Sequence, residues 1–272
     1  MLNLLWVLPS FAGIIREKNI SYVNPATHHK NLLDVYHDKN TTSSKDVIVF
    51  IHGGAWNSGK KDTYFWLGKN FVRKNAVAVI INYGLAPDNQ YEQMAGDCAA
   101  AVKWVKNNIK KYGGNPERIF VMGHSAGGHL ASLIDLDPRF FAKQGIKNPI
   151  KGVILNDAFG LDMFEYLTKT EQDHYYRSFV KTFSPDQEVW KKASPLTYVS
   201  NIKNPYLIFA GGRTYPAIQI QSKRLADTLT ATKHHVKYYK VGKKKHIGMI
   251  TQMILGSNRL YRQIFEFMAG VH

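Results

Sequence analysis

The chain has 272 residues, 44% of them hydrophobic and 21% charged, as expected of a soluble globular protein large enough to bury a sizeable core. Its 36 Lys and Arg exceed 20 Asp and Glu, a formal net charge of +16 that favours anionic partners; the lysines are scattered, however, and no nucleic-acid module signature is present. A single cysteine, Cys98, excludes an intrachain disulfide and leaves the compartment open, cytoplasmic or exported.

Met1 to Ile15 is apolar, too short for a stable membrane span and without the basic start of a secretory signal. It reads as a short covering helix or, second, as a targeting remnant. Ile20–Val23 and Leu32–Tyr36 read as short strands separated by Asn24-Pro25. Val47–Ile51 is a continuous apolar run, the pattern of a strand covered on both faces, and it ends in His52-Gly53-Gly54-Ala55-Trp56. A helix around Lys61–Lys74 and a strand at Ala76–Ile81 follow.

Gln90–Tyr112 is a long helix with Ala95, Cys98, Ala99, Val102, Val105 and Ile109 at helical spacing, ended by Gly113-Gly114-Asn115-Pro116. Ile119–Met122 is a strand running into Gly123-His124-Ser125-Ala126-Gly127 and a helix to about Leu136. Val153–Leu155 is a strand, and residues 158–200, rich in aromatics, read as a helical cap inserted before the next strand at Tyr206–Phe209. A helix at Ile218–Thr230, a strand at Val236–Tyr239 and a closing helix at Ile247–Met268 complete the chain. This alternation predicts one α/β domain over 1–272: a mostly parallel sheet of about eight strands with helices on both faces and a small helical cap.

Gly-x-Ser-x-Gly between a strand and a helix is the context of a nucleophile elbow. A sharp turn would lift the Ser125 oxygen above the sheet edge, and the helix starting there would aim free N–H groups at the same spot. Acyl transfer by serine also needs a base and oxyanion donors. Gly53, Gly54 and Ala55, at the end of an earlier strand, are candidate donors together with the N–H of Ala126. The base must come late in the chain, and His246 fits, between the last strand and the closing helix. His124 and His129 flank the elbow as packing residues, and His52 orders its own loop. No His-Glu-x-x-His spacing suggests zinc.

On these residues the chain resembles serine esterases of the α/β-hydrolase superfamily, in the branch near hormone-sensitive-lipase-like carboxylesterases and kynurenine formamidases. The matching stretches are His52–Trp56, Asn82–Pro87, Tyr112–Ile119 and the elbow, with Leu33–Tyr36, Ala193–Leu196 and Lys245–Ile247 in support. The resemblance implies hydrolysis of a small-molecule ester or amide through an acyl-enzyme on Ser125, with no metal and no cofactor. It also exposes a departure. The loop after Tyr206–Phe209, where the family carries its acid, reads Ala210-Gly211-Gly212-Arg213-Thr214-Tyr215-Pro216 and holds no carboxylate. Gly84 likewise replaces the family's Arg after Asn-Tyr.

Three readings of the acid stay open: Asp157 at the end of the preceding strand, Asp162 slightly later, or no acid, so that Ser125 and His246 work as a weaker dyad or Thr214 orients the ring. For function, a carboxylesterase leads. An arylformamidase, a sugar-ester deacetylase and a non-catalytic binding protein on a hydrolase scaffold are the alternatives. Phe159, Phe164, Tyr166, Tyr175, Tyr176 and Phe179 are candidates to line the pocket.

Overall fold

A computed structural model describes residues 13–23, 30–41 and 43–271. Eight strands form one sheet in the order β1-β2-β4-β3-β5-β6-β7-β8. They are β1 (Ile14–Ser21), β2 (Leu32–Asp38), β3 (Lys45–Ile51), β4 (Val77–Ile81), β5 (Gly114–His124), β6 (Ile150–Asn156), β7 (Tyr206–Gly211) and β8 (Val236–Val241). β1 and β2 run antiparallel, and β3 to β8 are parallel.

The apolar runs explain the sheet's burial. Val47, Val49 and Ile51 belong to the core on one face, while Ile48 and Phe50 belong to the core on the other. Alternation with period two puts successive side chains on opposite faces, so a strand apolar at every position needs cover on both. One face is covered by α2 (Tyr91–Asn108), α3 (Ala126–Leu136) and α8 (Pro216–Ala231); the other by α1 (Phe65–Arg73), α9 (His246–Thr251) and α10 (Arg259–Ala269). Between β6 and β7 the chain forms α5 (Met163–Lys169), α6 (His174–Phe183), α7 (Gln187–Lys192) and a 3-10 segment at Pro195–Asn201.

Several local expectations shift. The first strand begins at Ile14, so Ile14 and Ile15 are not part of a covering helix; residues 1–12, and the Asn24-Pro25 break, lie outside the described residues. The charged run after Ile15 is tolerated in a strand because β1 is an edge and Arg16 donates to Asp34 at 2.8 and 2.6 Å. The closing helix is two helices. A 3-10 turn at Gln252–Ile254 interrupts it, and the Asn258 side chain then caps α10 by accepting from the Leu260 N–H at 2.9 Å. A short helix unforeseen in the sequence, α4 (Arg139–Lys143), follows Pro138.

A buried ion cluster joins β2 to the segment after His52–Trp56. Lys61 is 1% exposed and its ammonium lies 2.9 Å from the Asp34 carboxylate and 2.7 Å from Asn19 Oδ1. The Lys61 backbone N–H donates to Asn82 Oδ1 at 2.7 Å.

Candidate active site

Ser125 stands between β5 and α3 with φ 55 and ψ −122, a left-handed conformation that a non-glycine residue adopts only when its surroundings hold it there. The neighbouring glycines show what holds it. A Cβ at Gly123 would lie 2.1 Å from the Gly127 carbonyl oxygen, and a Cβ at Gly127 would lie 2.1 Å from that of Ile51. The turn therefore closes only where both side chains are absent.

His246 opens α9 and reaches Ser125 from the far end of the chain: Nε2 is 2.8 Å from Ser125 Oγ. Its other nitrogen, Nδ1, lies 2.7 Å from Asp157 Oδ2. A carboxylate only accepts, so the proton sits on Nδ1 and the Nε2 lone pair faces the serine hydroxyl. Asp157 is fully buried, directly after β6, with φ 55. Its carboxylate also accepts from the N–H of Gly211, the last residue of β7, at 2.7 Å and from the hydroxyl of Thr214 in the loop that follows.

Of the candidate acids, the structure thus brings Asp157 to His246. Asp162 instead caps α5 by accepting from Glu165 N–H at 2.9 Å and pairs with Arg224. Thr214 touches Asp157 rather than the imidazole.

Gly53, Gly54 and Ala55 form the turn after β3. A Cβ on Gly53 would come within 3.0 Å of Ser125 Cβ, which places this turn against the serine. Ala55 and Trp56 have φ 49 and 59. Among the described residues the N–H groups of Gly54 and Ala55 donate to no other protein atom, and neither does that of Ala126, the first residue of α3, while the Gly53 N–H faces the Tyr64 hydroxyl. Such unclaimed donors at a helix start and an adjoining turn can receive an oxyanion.

The three other histidines near the elbow are buried. The His124 ring stacks on His246 with centroids 4.9 Å apart, and its Nε2–H points at the His246 carbonyl at 3.3 Å. Burial, reinforced by His246, pushes its pKa down to about 3, so His246 rests against a neutral ring. The His129 Nε2–H donates to the Ala193 carbonyl at 2.7 Å while Nδ1 accepts from the Trp56 indole at 3.2 Å; burial holds it near 4. His129 and Trp56 thereby tie the Gly53–Ala55 turn and the 158–200 segment to the elbow helix. His52 Nδ1–H donates to the Gly53 carbonyl at 2.8 Å, and burial lowers its pKa to about 4.

Above Ser125 and His246 opens a cavity of about 700 Å³, within the range of small-molecule sites. Phe159, Tyr166, Tyr175 and Phe179 line it. Phe164 and Tyr176 instead pack against Lys191 and Trp190. Sequence reasoning missed Tyr64, Trp66, Tyr215, Ile250 and Ile254, which add to the wall from three distant stretches of the chain. Of these only Tyr215 lay in a stretch already singled out, the loop that also holds Thr214. Among the described residues no cluster of His, Cys, Asp or Glu could hold a metal ion, and no helix is long and apolar enough to cross a membrane.

Parallel strands β3 to β8 flanked by helices, with a serine at a strand–helix elbow and a histidine after the last strand, define an α/β-hydrolase. Within that class the chain belongs to the BD-FAE family, whose model matches residues 33–229.

It is similar to a probable isoprenylcysteine alpha-carbonyl methylesterase, ICMEL1, of Arabidopsis thaliana: 29% identical over 262 residues, 89% of this chain and 54% of the relative. It is also similar to Esterase LipC of Mycobacterium tuberculosis: 30% identical over 213 residues, 74% of this chain and 52% of the relative. The chain spans about half the length of these relatives. Among solved structures, Esterase B from Lactobacillus Rhamnosis superposes with TM-score 0.78 at 18% identity, over 94% of this chain and 86% of that one. An esterase from Thermogutta terrifontis gives 0.75 at 20%, over 93% and 91%. At those identities the likeness is one of fold.

Proposed function

We propose that the chain is a serine hydrolase that cleaves carboxylic esters of small substrates through an acyl-enzyme on Ser125. The observation that carries this reading is the unbroken line from Ser125 Oγ to His246 Nε2 at 2.8 Å and from Nδ1 to Asp157 at 2.7 Å, at the floor of a cavity. The similarity to proteins named as esterases supports it.

In this reading His246 takes the serine proton as Oγ attacks the ester carbonyl. The N–H groups of Gly53, Gly54, Ala55 and Ala126 receive the oxygen as it becomes negative. Asp157 fixes the tautomer of His246 and stabilises the imidazolium. That imidazolium then returns its proton to the departing alcohol. Water activated by the same ring releases the acid and restores Ser125. No step calls for a metal or cofactor. Residues 158–200 act as a cap on a single domain, lining the substrate space with Phe159, Tyr166, Tyr175 and Phe179.

The test is hydrolysis of p-nitrophenyl acetate together with labelling by a fluorophosphonate probe. Both should be lost in Ser125→Ala. Failure of the wild type to label at any pH would favour a binding protein on this scaffold. Preference for N-formylkynurenine, or for an acetylated sugar, over short p-nitrophenyl esters would redirect the reading to an arylformamidase or a deacetylase on the same residues.

A further inference from the structure

A second cavity, of about 390 Å³, adjoins the first. Its walls come from α5 and the start of α8, with Glu165, Lys169, Ala217 and Ile220 among them. Phe159, Tyr166 and Tyr215 line both cavities, so these three rings form the partition between them.

Tyr215 is its outermost member. The residue is 56% exposed, and its ring centre lies 5.2 Å from that of His246 and 6.3 Å from that of Phe159. Its backbone is fixed at the start of α8, where its carbonyl accepts from the Ile218 and Gln219 N–H groups. Its hydroxyl makes no hydrogen bond to the described residues, so the ring can swing without breaking a polar contact to any of them.

The chemistry of the wall selects the occupant. Gln221 is bonded at both ends of its amide to the Asp162 backbone, at 3.1 and 3.0 Å. Glu165 is held by Lys169 at 2.9 Å and Arg224 at 3.0 Å. The cavity's amide and carboxylate are thus already engaged, and a sugar lodged there would have only the Thr170 and tyrosine hydroxyls left to pair with its own several hydroxyls. Lys169 and Thr170 keep one side of the wall polar, while Phe159, Pro216, Ala217 and Ile220 form an apolar side that suits hydrocarbon.

We propose that this cavity is a second substrate compartment. It takes the apolar far end of an ester whose carbonyl lies at Ser125, and Tyr215 is the residue that sets access to it. The proposal rests on the ester-hydrolase reading and narrows the substrate to an ester with a long alkyl or aryl arm.

The experiment compares kcat/KM across p-nitrophenyl esters from acetate to dodecanoate and across acetates of alcohols of the same lengths. Each methylene lodged in the compartment is worth about fourfold. Ala217→Phe, which fills the compartment, lowers the long-to-short ratio about tenfold or more in one of the two series. Tyr215→Ala raises that ratio. Using a ratio makes the readout independent of how much of each variant folds. A wild-type ratio in both variants and both series overturns the compartment while leaving the hydrolase reading intact. Absence of Ser125-dependent hydrolysis of even the acetate strikes the hydrolase reading instead. In that case dodecanoate binding followed by intrinsic fluorescence reads the compartment directly, and equal affinity in wild type and Ala217→Phe overturns it.

Discussion

The Thr214 hydroxyl donates to Asp157 Oδ2, the same oxygen that faces His246 Nδ1. The loop after β7, without a carboxylate of its own, steadies one that arrives from the end of β6. With the Gly211 N–H on Oδ1, both oxygens are held and the carboxylate cannot rotate away from the ring. Asp157→Ala should lower kcat on p-nitrophenyl acetate by about 10⁴, as loss of the acid does in other serine triads. Thr214→Val should cost less, about ten- to a hundredfold, because one hydrogen bond to a charged carboxylate, worth ~1.5–3 kcal/mol, is lost while Asp157 itself remains. Near-normal turnover in Asp157→Ala would reject its assignment.

The same contact makes a relocation testable. Since Thr214 already reaches the oxygen beside His246, a carboxylate placed there has a short path to the ring. The double variant Asp157→Ala, Thr214→Asp should recover at least tenfold over Asp157→Ala alone, roughly 1.4 kcal/mol of transition-state stabilisation. No recovery, with the fold intact by circular dichroism, would show that the loop cannot present an acid.

Close approach at the elbow predicts opposite outcomes for two glycines. A Cβ at Gly127 would sit 2.1 Å from the Ile51 carbonyl oxygen, whereas one at Gly96, inside α2, meets nothing within 4 Å. Gly127→Ala should cost ~1–3 kcal/mol or more. Gly96→Ala should stabilise by ~0.4–1 kcal/mol through helix propensity and the unfolded chain. Chemical denaturation of both variants decides, and equal midpoints would contradict the packing described.

What the sequence disclosed and what it hid follow from range. Ser125 was legible because the two glycines its turn requires stand within two residues of it, although what Gly127 makes room for is the distant Ile51 carbonyl. Val47–Ile51 was legible because two-sided burial leaves an unbroken apolar run. The acid was ambiguous because it depends on which strands lie side by side: β6 pairs with β7, Asn156 opposite Phe209, and only that register brings Asp157 beside Gly211 and Thr214. The break in the closing helix was hidden for another reason. Leu255-Gly256-Ser257 is short, and Leu260, Ile264 and Phe267 continue the apolar face beyond it. Tyr64, Trp66 and Ile254 carry no local mark of lining a cavity, since that depends on tertiary placement alone.

Lys61 is buried with Asp34 as its closest carboxylate, 2.9 Å away. Removing Asp34 leaves the buried ammonium only the half-exposed Asp62 carboxylate, 3.3 Å away and shared with Arg16. Asp34→Ala should therefore destabilise the fold by ~3–5 kcal/mol, more than replacing Asp34 and Lys61 together by apolar residues. Urea titrations of the single and double variants check this. A loss below ~1 kcal/mol for Asp34→Ala would mean that Lys61 is not confined as described.

His52, His124 and His129 fold as neutral rings, their pKa values lowered from 6.5 to about 4, 3 and 4 by burial, with His246 adding to the shift of His124. Below about 6.5 the unfolded chain binds protons at these residues and the folded chain does not. Their stabilisation is therefore complete above that pH and is lost as pH falls toward the folded values. Each contributes up to about 1.4 kcal/mol per pH unit in that window. Between pH 6.5 and 5 the carboxylates whose pKa is lowered, such as Glu165 at about 2, are ionised in both states and add almost nothing to the slope. The urea midpoint should drop steeply from pH 7 to pH 5, and His129→Gln, which removes one titrating ring, should flatten the drop by about a third relative to its own value at pH 7. A midpoint constant over that interval would mean that these rings take up protons without unfolding.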